Sequence, residues 1–135
     1  MSFITIEGFE SLTEQQVFDM SAKHIIQQGR PGIPEGDWDG GCLYSEGCAA
    51  SVFIKPEQRQ YADDYSDETA WHNLHIDGLV PARHYTMVST LQACHDTAAI
   101  DAMRSGDITE FMRSWREEMT KYAAYKNLDA SVLTA

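Results

Sequence analysis

The sequence is poor in basic residues and contains no long apolar run. Ten Lys and Arg residues stand against 21 Asp and Glu residues, so the formal net charge is -11. Nucleic-acid binding depends largely on Lys and Arg neutralising phosphates, and this balance therefore argues against direct binding to nucleic acid. No segment approaches the roughly 20 apolar residues that a membrane-spanning helix needs, so we expect no membrane association.

Cysteine is also scarce, and the N-terminal segment lacks the pattern of a secretory signal. Three cysteines are an odd number, which fits a reducing cytosol better than a disulfide framework. Residues 1–10 show no basic cluster followed by an apolar stretch. Both observations favour a cytoplasmic protein.

The length and the apolar content predict one globular domain. The chain has 135 residues, of which 43% are hydrophobic, enough to bury a core without a disulfide or a metal. We therefore expect a single domain over residues 1–135. Residues 1–10 are interpreted as a short strand or an ordered arm, and residues 129–135 as one more turn or a frayed tail.

The clearest local pattern predicts a first helix over residues 13–28. Two residue pairs, Ser11 with Glu14 and Thr13 with Gln16, have the spacing of a capping box. Gly29 suits a left-handed C-terminal cap, and Pro31 prevents the helix from continuing.

A second helix is predicted over residues 81–95. Pro81 suits its first turn. We interpret Asp96 as marking a break in the helix and as capping a brief helical piece over 98–103. A short helix over 70–76 precedes it.

A third long helix is predicted over residues 107–126, with Asn127 as a left-handed terminator. The turn Ser45-Glu46-Gly47 between short apolar runs favours a β-hairpin near residues 42–54, or a strand that leads into a helix near Cys48. The expected fold is therefore mainly α (α+β): three amphipathic helices packed around a small hairpin.

Three short motifs carry a family resemblance. They are Gly41-Cys42-Leu43-Tyr44, then Cys48-Ala49, and far downstream Leu91-Gln92-Ala93-Cys94-His95-Asp96. With the first helix and the Trp115-bearing last helix, they resemble a family of small bacteriophage and prophage proteins. The resemblance covers most of residues 13–130. It implies a setting, a phage accessory gene acting in the cytoplasm of an infected host, and it implies no particular activity.

The chain departs from that family pattern in the region of its first two cysteines. The turn between Tyr44 and Cys48 is short, and the run from Ala50 to Ile54 lacks a further cysteine of the family. This departure weakens the hypothesis that the family's cysteines have a chemical role in this chain.

Zinc binding is one hypothesis for the Cys and His residues. Candidate ligands are Cys42, Cys48, His72 and His75. The five residues between Cys42 and Cys48 exceed the spacing of most structural zinc pairs, whereas His72 and His75 would share one face of a helix. The alternative is that the cysteines are small core residues and the histidines lie on the surface.

Thiol catalysis is a second hypothesis. Cys48 would be the nucleophile, His95 the base and Asp96 the group that orients it. We favour a structural interpretation, in which Gln92, His95 and Asp96 form a polar cluster that fixes the packing of a small core.

Three functions follow from these patterns. The leading hypothesis is an acidic, non-enzymatic phage protein that binds and inhibits a host protein, for example a nucleic-acid-binding defence factor such as a CRISPR effector. The acidic runs Asp63-Asp64-Asp67-Glu68 and Glu117-Glu118 are then a surface that mimics nucleic-acid charge, or simply a solvated face.

The second hypothesis is a small-molecule binder, such as a sponge for a signalling nucleotide. The third is a Cys/His-dependent or zinc-dependent enzyme. Candidate ligand-binding residues for the sponge are Trp38, Tyr44, Arg83, Gln92 and His95.

Overall fold

A computed structural model describes residues 3–33, 43–65 and 70–134. Over these ranges the chain forms five α-helices joined by 3₁₀ turns and irregular segments. The helices are α1 (Glu14–Gln28), α2 (Arg59–Ala62), α3 (Ala70–Ile76), α4 (Tyr85–Ser105) and α5 (Glu110–Lys126). None of the helices in these ranges is long and apolar enough to cross a membrane.

Helix α1 forms as its sequence predicts. The Thr13 hydroxyl accepts from the backbone N–H of Gln16, and the Gln16 side chain accepts from the Thr13 N–H, which completes the capping box. Gly29 ends the helix with φ of 70°, a conformation that favours glycine. The buried face of α1 includes Val17 and Phe18 and packs into the core.

The predicted β-hairpin is wrong. Tyr44–Glu46 and Ser51–Phe53 form 3₁₀ turns, and the structure shows only an isolated antiparallel bridge, Thr5 to Ile54, within the ranges it describes. The hairpin fails because side chains take the backbone groups that a strand ladder would use. The Ser51 hydroxyl donates to the Tyr44 carbonyl at 2.7 Å, and Ser21 of α1 donates to the Ala49 carbonyl at 2.8 Å. The helix proposed to begin near Cys48 is absent too, since Cys48 precedes the second turn.

Helix α4 starts later and runs further than predicted. His84 adopts a left-handed conformation with φ of 68°, which separates Pro81 from the helix that begins at Tyr85. The predicted break at Asp96 is wrong because the Asp96 carboxylate accepts from Gln92 on the preceding turn instead of capping a new helix. The helix therefore continues through the predicted 98–103 piece to Gly106.

Helix α5 lies antiparallel to α4 and begins three residues after its predicted start. Asp107 accepts from the Thr109 hydroxyl at 2.6 Å and from the Thr109 N–H at 3.0 Å, which organises the turn before Glu110. The hydroxyl bond, followed by the N–H bond, lowers the pKa of the Asp107 carboxyl. Asn127 ends the helix with φ of 58°, as predicted.

Both ends of the described chain join the core. Near the N-terminus, the Ile4 N–H donates to the Leu79 carbonyl at 2.9 Å, and Phe9 is 1% exposed. Near the C-terminus, a 3₁₀ turn over Ser131–Thr134 buries Val132 and Leu133. The largest buried side chains of this core are Trp71, Trp115, Tyr44, Phe9, Phe18, Phe53 and Phe111.

A reciprocal pair of hydrogen bonds joins α1 to the segment that follows α5. The Gln15 side-chain NH₂ donates to the Asp129 carbonyl at 2.8 Å, and the Asp129 N–H donates to Gln15 Oε1 at 2.8 Å. One side-chain amide thus satisfies both backbone groups of Asp129 in the way that a neighbouring strand would.

Candidate functional site

A buried hydrogen-bond network surrounds His95 on α4. The Gly32 N–H donates to His95 Nε2 at 2.9 Å, and His95 Nδ1 donates to the Asp96 carboxylate at 3.0 Å. The Gln92 side-chain NH₂ donates to the same Asp96 oxygen at 3.0 Å, and Gln92 Oε1 accepts from the Ala50 N–H at 3.3 Å. The network therefore ties α4 to two separate irregular segments.

Helix α1 contacts the irregular segment that contains Ala50 from the side opposite α4. His24 Nε2 donates to the Gly47 carbonyl at 3.1 Å, and the Gln28 side-chain NH₂ donates to that carbonyl at 2.9 Å. Burial lowers the pKa of His24 from its ordinary value, although its bond to Gly47 works in the opposite direction. The segment from Gly47 to Ser51 is thus clamped between α1 and α4.

This arrangement does not join Cys48 and His95 into a nucleophile and its base. Cys48 is 1% exposed, and its Sγ lies 3.6 Å from the Ser51 hydroxyl. Both ring nitrogens of His95 already have partners, Gly32 and Asp96. A general base needs a free ring nitrogen directed at the thiol, and His95 offers none.

Cys94 is equally unsuited to thiol chemistry. It lies on α4 and is 7% exposed. Burial raises the pKa of the Cys94 thiol to about 12, with a smaller contribution from the nearby Glu118 carboxylate. The thiol therefore stays protonated at neutral pH.

The candidate zinc ligands that the structure describes, Cys48, His72 and His75, do not form a metal-binding cluster. Cys42 lies outside the described residues, and Cys48 is buried within the Gly47 to Ser51 segment that α1 and α4 clamp. His72 and His75 do share one face of α3, but both meet the Tyr85 ring, at centroid distances of 5.8 and 4.9 Å. Over residues 3–33, 43–65 and 70–134, no cluster of three or more His, Cys, Asp or Glu side chains has metal-binding geometry.

The candidate ligand-binding residues divide between two places. Tyr44, Gln92 and His95 are buried, at 1%, 6% and 0% exposure, and form part of the core and its network. Arg83 is exposed and lies instead beside a cleft near the start of α4. Trp38 lies outside the described residues. The described candidate residues therefore do not line one common pocket, contrary to the prediction from the sequence.

A surface patch combines carboxylates with exposed aromatic and aliphatic side chains. We define the acidic–aromatic patch as Tyr61, Asp64, Tyr65, Ile76 and Asp77. The Tyr61 and Tyr65 rings lie 6.1 Å apart, and the Tyr65 hydroxyl donates to the Asp77 carboxylate at 2.8 Å. Ile76 is 65% exposed and Tyr61 is 47% exposed. Apolar groups left in solvent beside charged ones are typical of a protein-binding surface.

The sequence contains the signal for this patch. No Lys or Arg occurs from residue 60 to residue 82, although that stretch holds five Asp and Glu residues. Some carboxylates elsewhere have basic partners: Arg113 pairs with Glu110 and Glu117, and Arg30 lies 3.8 Å from Glu46. The sequence predicted an acidic surface from the runs at 63–68 and 117–118 and did not include Ile76 and Asp77, which fold next to the first run. Asp67 and Glu68 of that run lie outside the described residues.

Comparisons with known proteins identified no relative of this chain. Searches against protein-family models, curated proteins and solved structures each found no match to this chain.

Proposed function

We propose that this chain is a phage-encoded accessory protein that binds a host protein and inhibits it, acting in the host cytoplasm as a counter-defence factor. The phage setting rests on the sequence motifs around Tyr44, Cys48 and His95. The non-enzymatic character is supported by the network that encloses His95 and by the buried state of Cys48 and Cys94.

The observation that carries the proposal is the acidic–aromatic patch. Its two carboxylates, Asp64 and Asp77, form no ion pair with any described residue, so their charge is not neutralised by a direct partner. Tyr61 and Ile76 supply apolar area that a partner would bury. Tyrosine is enriched at the energetic centres of interfaces, since it combines a large rigid ring with a hydroxyl.

The chemistry of the patch predicts a basic partner surface. Opposite charges steer association and fix orientation, and a carboxylate-rich surface matches a groove lined with Lys and Arg. Such grooves are used by proteins that bind nucleic acid. A defence protein that binds nucleic acid is therefore the target class, and occupying its groove is the mode of inhibition.

Co-purification from host cells tests the proposal. Tagged protein is expressed in host cells with an active defence system, and bound proteins are identified by mass spectrometry. We expect one reproducible basic partner that dissociates as salt rises, because screened charges attract less. We also expect phage to plaque more efficiently in these cells. The absence of both effects would overturn the proposal.

Matched variants connect the effect to the patch. Asp64→Asn with Asp77→Asn removes two charges from the patch, and Glu7→Gln with Glu10→Gln removes two charges from the exposed N-terminal segment. We expect the first pair to weaken partner binding about tenfold or more and the second to leave it nearly unchanged. Equal losses in both would mean that net charge, rather than the patch, drives binding.

A further inference from the structure

A cleft of about 780 Å³ opens where the first turn of α4 meets the last turn of α5. Its lining includes Arg83 before α4, Tyr85 in its first turn, and Tyr122, Tyr125 and Lys126 from α5. The volume falls within the range of small-molecule sites, about 300–1,000 Å³. The cleft shares no residue with the acidic–aromatic patch.

Arg83 lies at this cleft without a protein partner. The side chain is exposed and makes no hydrogen bond or ion pair with any residue in the described ranges. Other arginines are engaged: Arg59 donates to the Ser51 carbonyl at 3.0 Å, and Arg116 donates to the Leu133 carbonyl at 3.0 Å. The Arg83 guanidinium is therefore free to bind an anion, with donors in a planar fork that suits phosphate or carboxylate.

The cleft is locally positive in a strongly acidic protein. Lys126 Nζ lies 3.0 Å from a carboxylate oxygen of Glu14, so these two charges offset each other. Arg83 is the cation that remains among the lining residues. The whole chain carries a net charge of -11, so this local positive excess is a distinctive feature of the surface.

An aromatic surface adjoins the cation. Tyr125 is 84% exposed, and Tyr122 lies one turn earlier on α5 and faces the same cleft. An aromatic ring left in water on a helix makes no contribution to the core. Its face offers a stacking surface for a planar ring such as a nucleobase.

We propose that this cleft binds a small anionic ligand that carries a planar ring, of the mononucleotide class. Arg83 would bind the anionic group, the hydroxyl of Thr86 at the cleft would add a hydrogen bond, and Tyr125 would stack on the ring. The inference goes beyond the proposed host-protein binding and does not depend on it.

Three probes separate the parts of this proposal. Isothermal titration calorimetry with AMP, adenosine and ribose 5-phosphate compares a ligand that has both ring and phosphate with ligands that lack one of them. We expect AMP to bind in the micromolar to millimolar range and each truncated probe to bind at least about tenfold more weakly, since each lacks either the charge-assisted hydrogen bond or the stacked ring. No AMP binding at millimolar concentration overturns the proposal, as does equal binding of adenosine or ribose 5-phosphate.

Matched variants locate the binding. Arg83→Gln removes the unpaired cation, and Arg104→Gln removes an exposed arginine near the other end of α4. We expect AMP affinity to fall about tenfold or more in the first variant and to stay within twofold in the second. Tyr125→Ser should weaken AMP but leave ribose 5-phosphate unchanged. All three substituted side chains are exposed, so folding is retained. Equal AMP affinities in the Arg83 and Arg104 variants would overturn the assignment.

Discussion

The Gly32 backbone N–H donates to His95 Nε2 at 2.9 Å across a separation of 63 residues. Because Nε2 accepts this bond, the ring proton of neutral His95 lies on Nδ1, where it is donated to Asp96. The tautomer of His95 is therefore set by the backbone of a distant segment. His95 acts as a buried connector between α4 and the chain that leaves α1.

Replacing His95 tests this connector role. His95→Leu keeps a side chain of similar bulk but leaves the Gly32 N–H without its acceptor in the core. We expect a loss of about 2–3 kcal/mol in the free energy of unfolding, measured in urea, since a buried unsatisfied donor costs roughly 1–3 kcal/mol. Thr97→Ala, at an exposed position on the same helix, should change stability by less than about 0.5 kcal/mol. A fully stable His95→Leu protein would contradict the connector role.

Gly32 is required for a close approach between two segments. A Cβ at this position would overlap the Cys48 backbone nitrogen and lie 2.5 Å from the Gly47 carbonyl carbon. We expect Gly32→Ala to destabilise the protein by about 1–3 kcal/mol, because these contacts are backbone and yield only if the segments separate. Gly8→Ala is a control for backbone strain without crowding, since that Cβ would meet nothing within 4 Å but φ at Gly8 is +79°. A Gly32→Ala protein with the same denaturation midpoint as the wild type would contradict this prediction.

The two described thiols should be unreactive in the folded protein. Cys48 is enclosed, and burial raises the pKa of Cys94 to about 12, so very little thiolate exists at pH 8. In a Cys42→Ser background, we expect alkylation by iodoacetamide to be at least about 100-fold slower in buffer than in urea. Mass spectrometry of the modified peptides identifies the site. Rapid modification of Cys48 in the native state would revive thiol catalysis.

Stability should fall as the solution becomes mildly acidic. Burial lowers the pKa of folded His24, whereas the unfolded chain takes up this proton near pH 6.5. The contribution of His24 to stability is therefore complete above pH 6.5 and is lost as pH falls through the folded pKa. His24→Gln should flatten the dependence of urea midpoints on pH between 7 and 5. Some slope should remain, because burial also lowers the pKa of His84. An unchanged slope in the variant would contradict this assignment.

Local sequence signals predicted the helix ends where a single residue controls the backbone. The capping box at Thr13 and the left-handed residues Gly29 and Asn127 act within one turn, so spacing alone shows them. The start of α4 was missed because His84 adopts a left-handed conformation that usually requires glycine or asparagine.

The region from Tyr44 to Ile54 could not be predicted because its conformation depends on distant side chains. Its apolar alternation favours a hairpin, but Ser21, His24 and Gln28 of α1 take its carbonyls. Distant contacts also limited which candidate sites could be predicted. The grouping of Gln92, His95 and Asp96 follows from helical spacing, whereas the meeting of Asp77 with Tyr65 requires the fold.

The amide of Gln15 and the backbone of Asp129 close the chain into a loop, and the two partners are 114 positions apart in the sequence. A pulling force applied at residues 3 and 134 loads the core contacts of Ile4 and Leu133 before it loads this clasp. The clasp therefore acts as a second latch, which keeps α1 and the segment after α5 together once the outer ends have been pulled from the core.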